Sequence, residues 1–143
     1  MEVGLYLVVI RVSDLERARQ FYEALGLRFS QEQHGDGPKH LAAVLGGVTF
    51  QLYPAGNGAK TAGARLGFQV PSVAAAVVAV EQLGAMVISP GSGRPWRRPA
   101  IVLDPDGHRV EITEFAEAAT QNLPKRLGWS RGRPLGEEAG PCP

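Results

Sequence analysis

The sequence predicts an α+β fold made of two βαβββ units in tandem. The first observation is that β-rich runs and amphipathic helical segments occur twice in the same order along the 143 residues. The second is a fixed offset: Gly26 and Gly84, which end the two predicted helices, are 58 positions apart. Val12 and Val70, which end the strands before those helices, have the same separation. A constant offset between equivalent elements indicates an internal repeat.

In the first unit, a helix is predicted between an N-cap and a terminal glycine. Ser13 is a suitable N-cap, Glu16 completes a capping box, and Gly26 suits the position just after a helix. Apolar residues recur at helical spacing between these ends. β-rich runs separated by glycine-containing loops predict the strands Leu5–Val12, Leu27–His34, His40–Leu45 and Val48–Tyr53.

The second unit repeats this pattern. Ser72 can cap a helix whose apolar side chains begin at Val73, and Gly84 follows the end of the helix. The predicted strands are Arg65–Val70, Met86–Ser89, Pro99–Leu103 and Arg109–Phe115.

We expect one domain over residues 1–115, with units at about 1–56 and 62–115, followed by a C-terminal extension over 116–143. This extension is rich in Pro, Gly and charge, which is typical of a mobile tail or of a segment that packs on a neighbour. A short helix over Ala116–Asn122 is compatible with its first residues.

Composition excludes several classes of function. The net charge of +1 gives no field that would attract nucleic acid or membrane lipid. The lone cysteine, Cys142, rules out an intrachain disulfide and argues against a thiolate zinc site. The N-terminal segment lacks a basic region and is too short to span a bilayer, so we expect a cytoplasmic protein. No phosphate loop, dinucleotide fingerprint or Ser–His–Asp arrangement is recognisable.

Alternation along the strands gives several of them one apolar and one polar face. Gln51 and Tyr53 share a face opposite Phe50, and Glu111 lies opposite Val110 and Ile112. The polar faces either meet water or line a cleft between two curled sheets. Because the first strand is apolar on both sides nearly to its end, we favour the cleft.

Two segments and the order of the elements resemble a known superfamily. RVSDLERARQFYEALGLRF (11–29) and PWRRPAIVLDPDGHRVEI (95–112) are similar to segments of the vicinal oxygen chelate superfamily of glyoxalases, bleomycin-resistance proteins and extradiol dioxygenases. The resemblance covers roughly Leu5 to Phe115. It implies two curled mixed sheets around a cup, usually within a homodimer.

In metal-dependent members, the metal ligands lie on the first and last strands of each unit. The resemblance places Leu7 and Arg65 at the first-strand positions, and Gln51 and Glu111 at the last-strand positions. The leucine side chain has no atom that can coordinate a metal, and the arginine side chain repels a cation, so we expect no metal or other cofactor. A divalent metal held through Gln51 and Glu111 is disfavoured.

We expect Glu111 and Arg65 to form an ion pair in which the guanidinium replaces the metal. The alternative is that each meets water separately. Glu111 would also be the catalytic residue if the protein is an enzyme. The predicted ligand-binding residues are Arg11, Gln51, Tyr53, Arg65, Trp96 and Glu111. For Arg11 and Trp96, a solvated rim position and a packing seam are equally good explanations.

Three histidines remain. His34 and His40 flank a glycine-rich loop, where solvated side chains are more common than metal ligands. His108 follows Asp104–Gly107, whose proline and glycine positions indicate a hairpin turn before any function.

The leading functional hypothesis is a glyoxalase/bleomycin-resistance-like protein that binds or sequesters a small organic molecule, such as a drug or metabolite, with a degenerate metal site. The alternative is a metal-dependent lyase or isomerase of the lactoylglutathione lyase type, or a dioxygenase, with His40 as an extra ligand. A third hypothesis is a protein whose fold serves only dimerisation. Expected partners are a small organic ligand and a second copy of the chain, without nucleic acid or membrane.

Overall fold

The computed structural model describes residues 1–58, 60–93 and 95–116. The first unit contains β1 (Leu7–Val12), α1 (Leu15–Ala24), β2 (Ser30–Glu32), β3 (His40–Leu45) and β4 (Val48–Pro54). The second contains β5 (Arg65–Val70), α2 (Val73–Glu81), β6 (Met86–Ser89), β7 (Ala100–Leu103) and β8 (Arg109–Glu114). None of the helices in these described ranges has the length and apolar character needed to cross a membrane.

Each unit forms one mixed four-stranded sheet, which confirms the predicted α+β architecture. The strand orders are β1-β4-β3-β2 and β5-β8-β7-β6. In both sheets the first and last strands of the unit pair in parallel, and the remaining neighbours are antiparallel. The two sheets remain separate.

Both sheets turn one face to a shared apolar core. Phe50 and Leu52 of β4 and Val110 and Ile112 of β8 belong to one buried cluster with side chains from both helices. Tyr22 of α1 joins the sheets, because its ring contacts Phe50 and also Phe68 of β5. We call the opposite side of each sheet its open face. Since the core faces share one interior, the open faces point away from it.

The helix caps differ from the prediction in one unit. Asp14, not Ser13, caps α1: its side chain accepts hydrogen bonds from the backbone N–H groups of Glu16 and Arg17. The predicted capping box is therefore wrong. The backbone N–H of Ser13 instead donates to Oδ1 of Asp106 in the second unit. In α2 the predicted cap is confirmed, because Ser72 accepts a hydrogen bond from Ala75.

The strand β2 is much shorter than the predicted Leu27–His34. The backbone N–H of Leu27 bonds to the carbonyl of Tyr22 at the end of α1, and Leu27 is buried. The chain therefore enters the sheet only at Ser30. The predicted C-terminal helix lies outside the described residues apart from Ala116, which is not helical.

Candidate functional site

Arg65 and Glu111 lie side by side on the open face of the second sheet. β5 and β8 pair in parallel with Gly67 opposite Glu111, so Arg65 is the diagonal neighbour of Glu111. Nη2 of Arg65 donates to Oε1 of Glu111. The predicted contact is present, and it joins two adjacent strands of one sheet. The side chains are 60% and 39% exposed, so solvent screens the pair.

Gln51 and Leu7 occupy the equivalent place in the first sheet. β1 and β4 pair with Val9 opposite Gln51, which makes Leu7 and Gln51 diagonal neighbours on the open face. The two sheets thus carry matching positions, with Leu7 and Gln51 in one and Arg65 and Glu111 in the other.

A second row of side chains crosses the open face of the first sheet. Glu32 pairs with His40 across β2 and β3, and Arg11 pairs with Tyr53 across β1 and β4. The rings of His40 and Tyr53 stack, with centroids 4.1 Å apart and planes 11° apart. On the other side of Tyr53 from His40, the guanidinium carbon of Arg11 on strand β1 lies 5.9 Å from the centroid of the Tyr53 ring. The row brings together a carboxylate, an imidazole, a phenol and a guanidinium.

Trp96 lies in the loop between β6 and β7 and is 79% exposed. Hydrogen bonds tie this loop to itself: the N–H of Ser92 donates to the carbonyl of Arg98, and the N–H of Arg97 donates to that of Gly93. Arg97 has a φ of 47°, a left-handed conformation that is costly for a residue with a side chain. These backbone hydrogen bonds close part of the loop on itself, and Trp96 is exposed within it.

The predicted ligand-binding residues divide between the two sheets. Arg11, Gln51 and Tyr53 project from the first, whereas Arg65 and Glu111 project from the second, and Trp96 belongs to a loop of the second. Because the open faces point away from a common core, one chain does not gather all six around one hollow. The assignment of these residues to a ligand stays a prediction.

An apolar groove runs between the sheets on the side of β1 and β5. Its volume is about 330 Å³. Arg65 borders the groove together with apolar residues of both units. The lining residues are Leu5, Val8, Leu45, Val48, Phe50, Arg65, Leu66, Gly67 and Phe68.

The surroundings of His40 differ from the sequence prediction. Its side chain is only 1% exposed, because Tyr53 covers the ring, whereas His34 is exposed as expected. Glu32 was not among the candidates. The spacing contained the signal, since Glu32 and His34 are two positions apart and Glu32 is directly opposite His40 in the hairpin.

A buried hydrogen-bond chain joins the two units. Oδ2 of Asp104 accepts from the hydroxyl of Tyr22 at 2.6 Å and from Nδ1 of His108 at 2.8 Å. Nε2 of the same imidazole lies 2.7 Å from the hydroxyl of Thr61. This hydroxyl–imidazole–carboxylate order was not recognisable in the sequence, because Thr61 lies 47 positions from His108, although Asp104 and His108 are only four apart. His108 is fully buried, so we assign this hydrogen-bond chain a structural role: it connects the two units and is not exposed to a substrate.

The same contacts shift two pKa values. Burial and then the charge of Asp104 raise the pKa of Tyr22 far above that of a free tyrosine. Burial alone would raise the pKa of Asp104, but hydrogen bonds from His108 and Tyr22 outweigh it and hold that pKa below its usual value. The carboxylate is therefore ionised and the phenol neutral at pH 7.

The sequence profile of the Glyoxalase/Bleomycin resistance protein/Dioxygenase superfamily matches residues 4–112. The chain belongs to this superfamily. A search of curated proteins found no match.

Solved structures share the superfamily fold with this chain. The hypothetical protein SA1046 from S. aureus has a TM-score of 0.64 and 21% identity, over 80% of this chain and 95% of its own. The antibiotic-binding protein TnmS3 from Streptomyces sp. CB03234 has a TM-score of 0.63 and 24% identity, over 80% and 98%. Oxidase ChaP-H2 has a TM-score of 0.61 and 22% identity, over 81% and 96%.

The four matched positions do not fit the metal of the superfamily's metal-dependent members. Two of them, Leu7 and Arg65, provide no ligand atom. Glu111 is already paired with the guanidinium, and Gln51 lies on the other sheet. A divalent cation needs several oxygen or nitrogen donors around one point, which this set does not provide.

Proposed function

We propose that this superfamily member binds a small organic molecule at its open faces without a metal at the superfamily's metal positions. The observation that carries the proposal is the Arg65–Glu111 ion pair. A fixed positive charge stands there in place of an ion, beside a carboxylate that can still accept hydrogen bonds. Such a pair can orient a polar group of a ligand by hydrogen bonding without catalysing a reaction of the ligand.

The predicted ligand-binding residues on the two sheets indicate the class of ligand. Apolar side chains line the groove beside Arg65, Tyr53 and Arg11 offer an aromatic and a cationic surface on the first sheet, and Trp96 is an exposed aromatic residue in a loop of the second unit. Sites of this composition suit flat, largely apolar molecules with a few polar substituents. The antibiotic-binding function stated for TnmS3 supports drug or metabolite sequestration as the role of this chain.

We also propose that the ligand site is completed in a homodimer. Each open face exposes apolar side chains, among them Val44 at 72% and Met86 at 63%. Exposed apolar patches mark interaction surfaces. A second copy placed with its second sheet over the first sheet of this chain would bring Arg65 and Glu111 to Gln51 and Tyr53. Sedimentation that shows only monomer across the accessible concentration range would contradict the dimer.

Binding is tested by thermal unfolding of the full chain against a panel of aromatic and polycyclic antibiotics, with chelator present. A ligand at 100 times its dissociation constant stabilises the folded state by about 2.7 kcal/mol. We expect Arg65→Ala to abolish the shift caused by a positive compound. Arg109→Ala is the matched control, because Arg109 lies opposite Arg65 on the same open face. Equal loss in both variants would disprove the role of the ion pair.

A second candidate is a metal-dependent enzyme, either a lyase or isomerase of the glyoxalase type or a dioxygenase, with Glu111 in the catalytic role. The observation that favours it is the buried imidazole of His40 next to the carboxylate of Glu32. Stoichiometric metal that remains after dialysis, together with turnover that Glu111→Gln abolishes, would favour the enzyme over sequestration.

A further inference from the structure

Three metal-binding side chains converge at the end of the β2–β3 hairpin. Oε1 of Glu32 lies 3.4 Å from Nε2 of His40 and 3.7 Å from Nε2 of His34. The candidate ligand atoms of all three residues lie within 4.8 Å of one another. This cluster is on the first sheet, away from the Arg65–Glu111 pair on the second.

The orientation of His40 is fixed from two sides. Nδ1 lies 3.2 Å from the carbonyl oxygen of Pro38, and a carbonyl can only accept, so Nδ1 carries a proton. The ring is also stacked on Tyr53. Metal-bound histidines are usually held in this way, with the remote ring nitrogen donating to a carbonyl.

The other nitrogen of His40 lacks a hydrogen-bond partner among the residues that the structure describes. Nε2 is buried, and none of the described residues completes a hydrogen bond to it. In the neutral ring this atom presents a lone pair, and the nearest group, the Glu32 carboxylate, also presents lone pairs. The Glu32 side chain is 39% exposed but Nε2 is buried, so two facing acceptors are unfavourable on the histidine side unless a metal ion or a proton lies between them.

We propose that Glu32, His34 and His40 bind a divalent transition-metal ion such as Zn²⁺. Tetrahedral zinc with ligand bonds of about 2.0–2.1 Å separates its ligands by about 3.3–3.4 Å. The distances of 3.4 and 3.7 Å around Glu32 are close to this value. Two imidazoles favour Zn²⁺ and its transition-metal neighbours over Mg²⁺ or Ca²⁺. The fourth position remains for water or a ligand.

The hairpin loop supports this geometry. The N–H of Gly37 donates to the carbonyl of His34, which closes a turn directly after the second ligand. The side chain of Gln33 also donates to the carbonyl of Gly37. Because these hydrogen bonds hold the loop backbone, a small rotation of the exposed His34 side chain is enough to complete the three-ligand site.

The site extends to the proposed ligand-binding surface. His40 stacks on Tyr53, and Tyr53 neighbours Arg11 on the same open face. A metal at the hairpin would therefore lie at one end of the row of polar side chains. The proposal does not depend on the sequestration function, because metal binding requires only the hairpin residues.

The rival explanation is a proton. If Nε2 of His40 carries one, His40 is a cation that pairs with Glu32, and no metal is needed. The two cases differ in what they predict for added Zn²⁺, because a protonated imidazole does not coordinate a metal.

The test titrates Zn²⁺ into the full chain against a chelating dye at pH 7.5, in a Cys142→Ser background so that the tail thiol cannot bind zinc. We expect one equivalent to bind. Glu32→Gln and His34→Ala should each weaken binding at least about tenfold. Both positions are partly or fully exposed, so the variants should fold; far-UV circular dichroism checks this.

Asp36→Asn is the matched control. It removes one carboxylate from the same loop, outside the cluster, and should leave zinc affinity unchanged. Failure of the parent protein to bind one equivalent would overturn the proposal, as would equal weakening by Asp36→Asn and Glu32→Gln. Because the antibiotic panel is run with chelator, failure of that panel and failure of zinc binding are separate results.

Discussion

The hydroxyl of Tyr22 donates a 2.6 Å hydrogen bond to the carboxylate of Asp104 across 82 residues of sequence. Tyr22 belongs to the helix of the first unit, and Asp104 begins the turn between β7 and β8 of the second. Both side chains are buried. The contact joins the helix of the first repeat to the β7–β8 turn of the second.

The first prediction concerns the stability that this contact provides. Oδ1 of Asp104 also accepts hydrogen bonds from the backbone N–H groups of Asp106 and His108. The carboxylate therefore accepts hydrogen bonds from Tyr22 of α1, from the imidazole of His108 and from the backbone of the turn. Asp104→Asn should lower the free energy of unfolding by about 2–3 kcal/mol, because hydrogen bonds to a charged, buried acceptor are lost.

Urea unfolding monitored by far-UV circular dichroism measures this change. Tyr22→Phe, which removes one donor only, should cost about 1–2 kcal/mol. Asp106→Asn is the control, since it alters a carboxylate of the same turn that is not bonded to Tyr22 or His108. A loss for Asp104→Asn no larger than for this control would contradict the assignment.

The second prediction is a dependence of stability on pH. Folding lowers the pKa of Asp104, so the unfolded chain binds a proton at higher pH than the folded chain does. The stability contributed by Asp104 is complete above the ordinary aspartate pKa of about 3.9. It is lost as the pH falls through the lower pKa of the folded state.

Unfolding free energies measured between pH 7 and pH 2 should therefore fall more steeply in the parent protein than in Asp104→Asn. The variant should begin less stable and approach the parent at acid pH. Parallel pH profiles for the two proteins would show that Asp104 is not responsible for the acid dependence.

The third prediction concerns the loop that carries Trp96. Gly91 has a φ of +67°, and a Cβ there would lie 2.5 Å from the backbone nitrogen of Ala100. Gly107 also has a positive φ, of +91°, but a Cβ there would meet nothing within 4 Å. Gly91→Ala should therefore cost more stability than Gly107→Ala, which pays only the conformational cost of about 1 kcal/mol.

Thermal unfolding of the two alanine variants measures the difference. We expect the melting temperature of Gly91→Ala to lie below that of Gly107→Ala, because the clash with the backbone adds to the same conformational strain. Similar melting temperatures would mean that the loop moves freely away from Ala100.

The sequence predicted most of the fold because its signals are local and repeated. β3, β5 and β6 have the predicted bounds, since glycine-containing loops or proline mark their ends. The α1 cap was misassigned because Ser13 and Asp14 are both good caps, and a contact with Asp106 in the distant second unit occupies the backbone of Ser13.

The candidate site was less predictable because its geometry depends on which strands become neighbours. Alternation assigned Arg65 and Glu111 to the polar face of their own strands, and the resemblance to the superfamily's ligand positions predicted their contact, which is present. Burial of His40 required the register that stacks it on Tyr53, which alternation within one strand does not contain. The role of His108 likewise depended on Thr61, 47 positions away.

The last prediction separates the binding role of Arg65 and Glu111 from any role in stability. Because both side chains are substantially exposed, the pair should contribute less than about 1 kcal/mol to folding. Arg65→Ala, Glu111→Ala and the double variant form a cycle whose coupling energy urea unfolding measures. A small coupling, together with loss of the ligand-induced thermal shift in each single variant, indicates that the pair is positioned for a ligand. A coupling well above 1 kcal/mol would instead mean that the ion pair stabilises the sheet, and the replacement of an ion by arginine would then be a structural feature rather than a binding one.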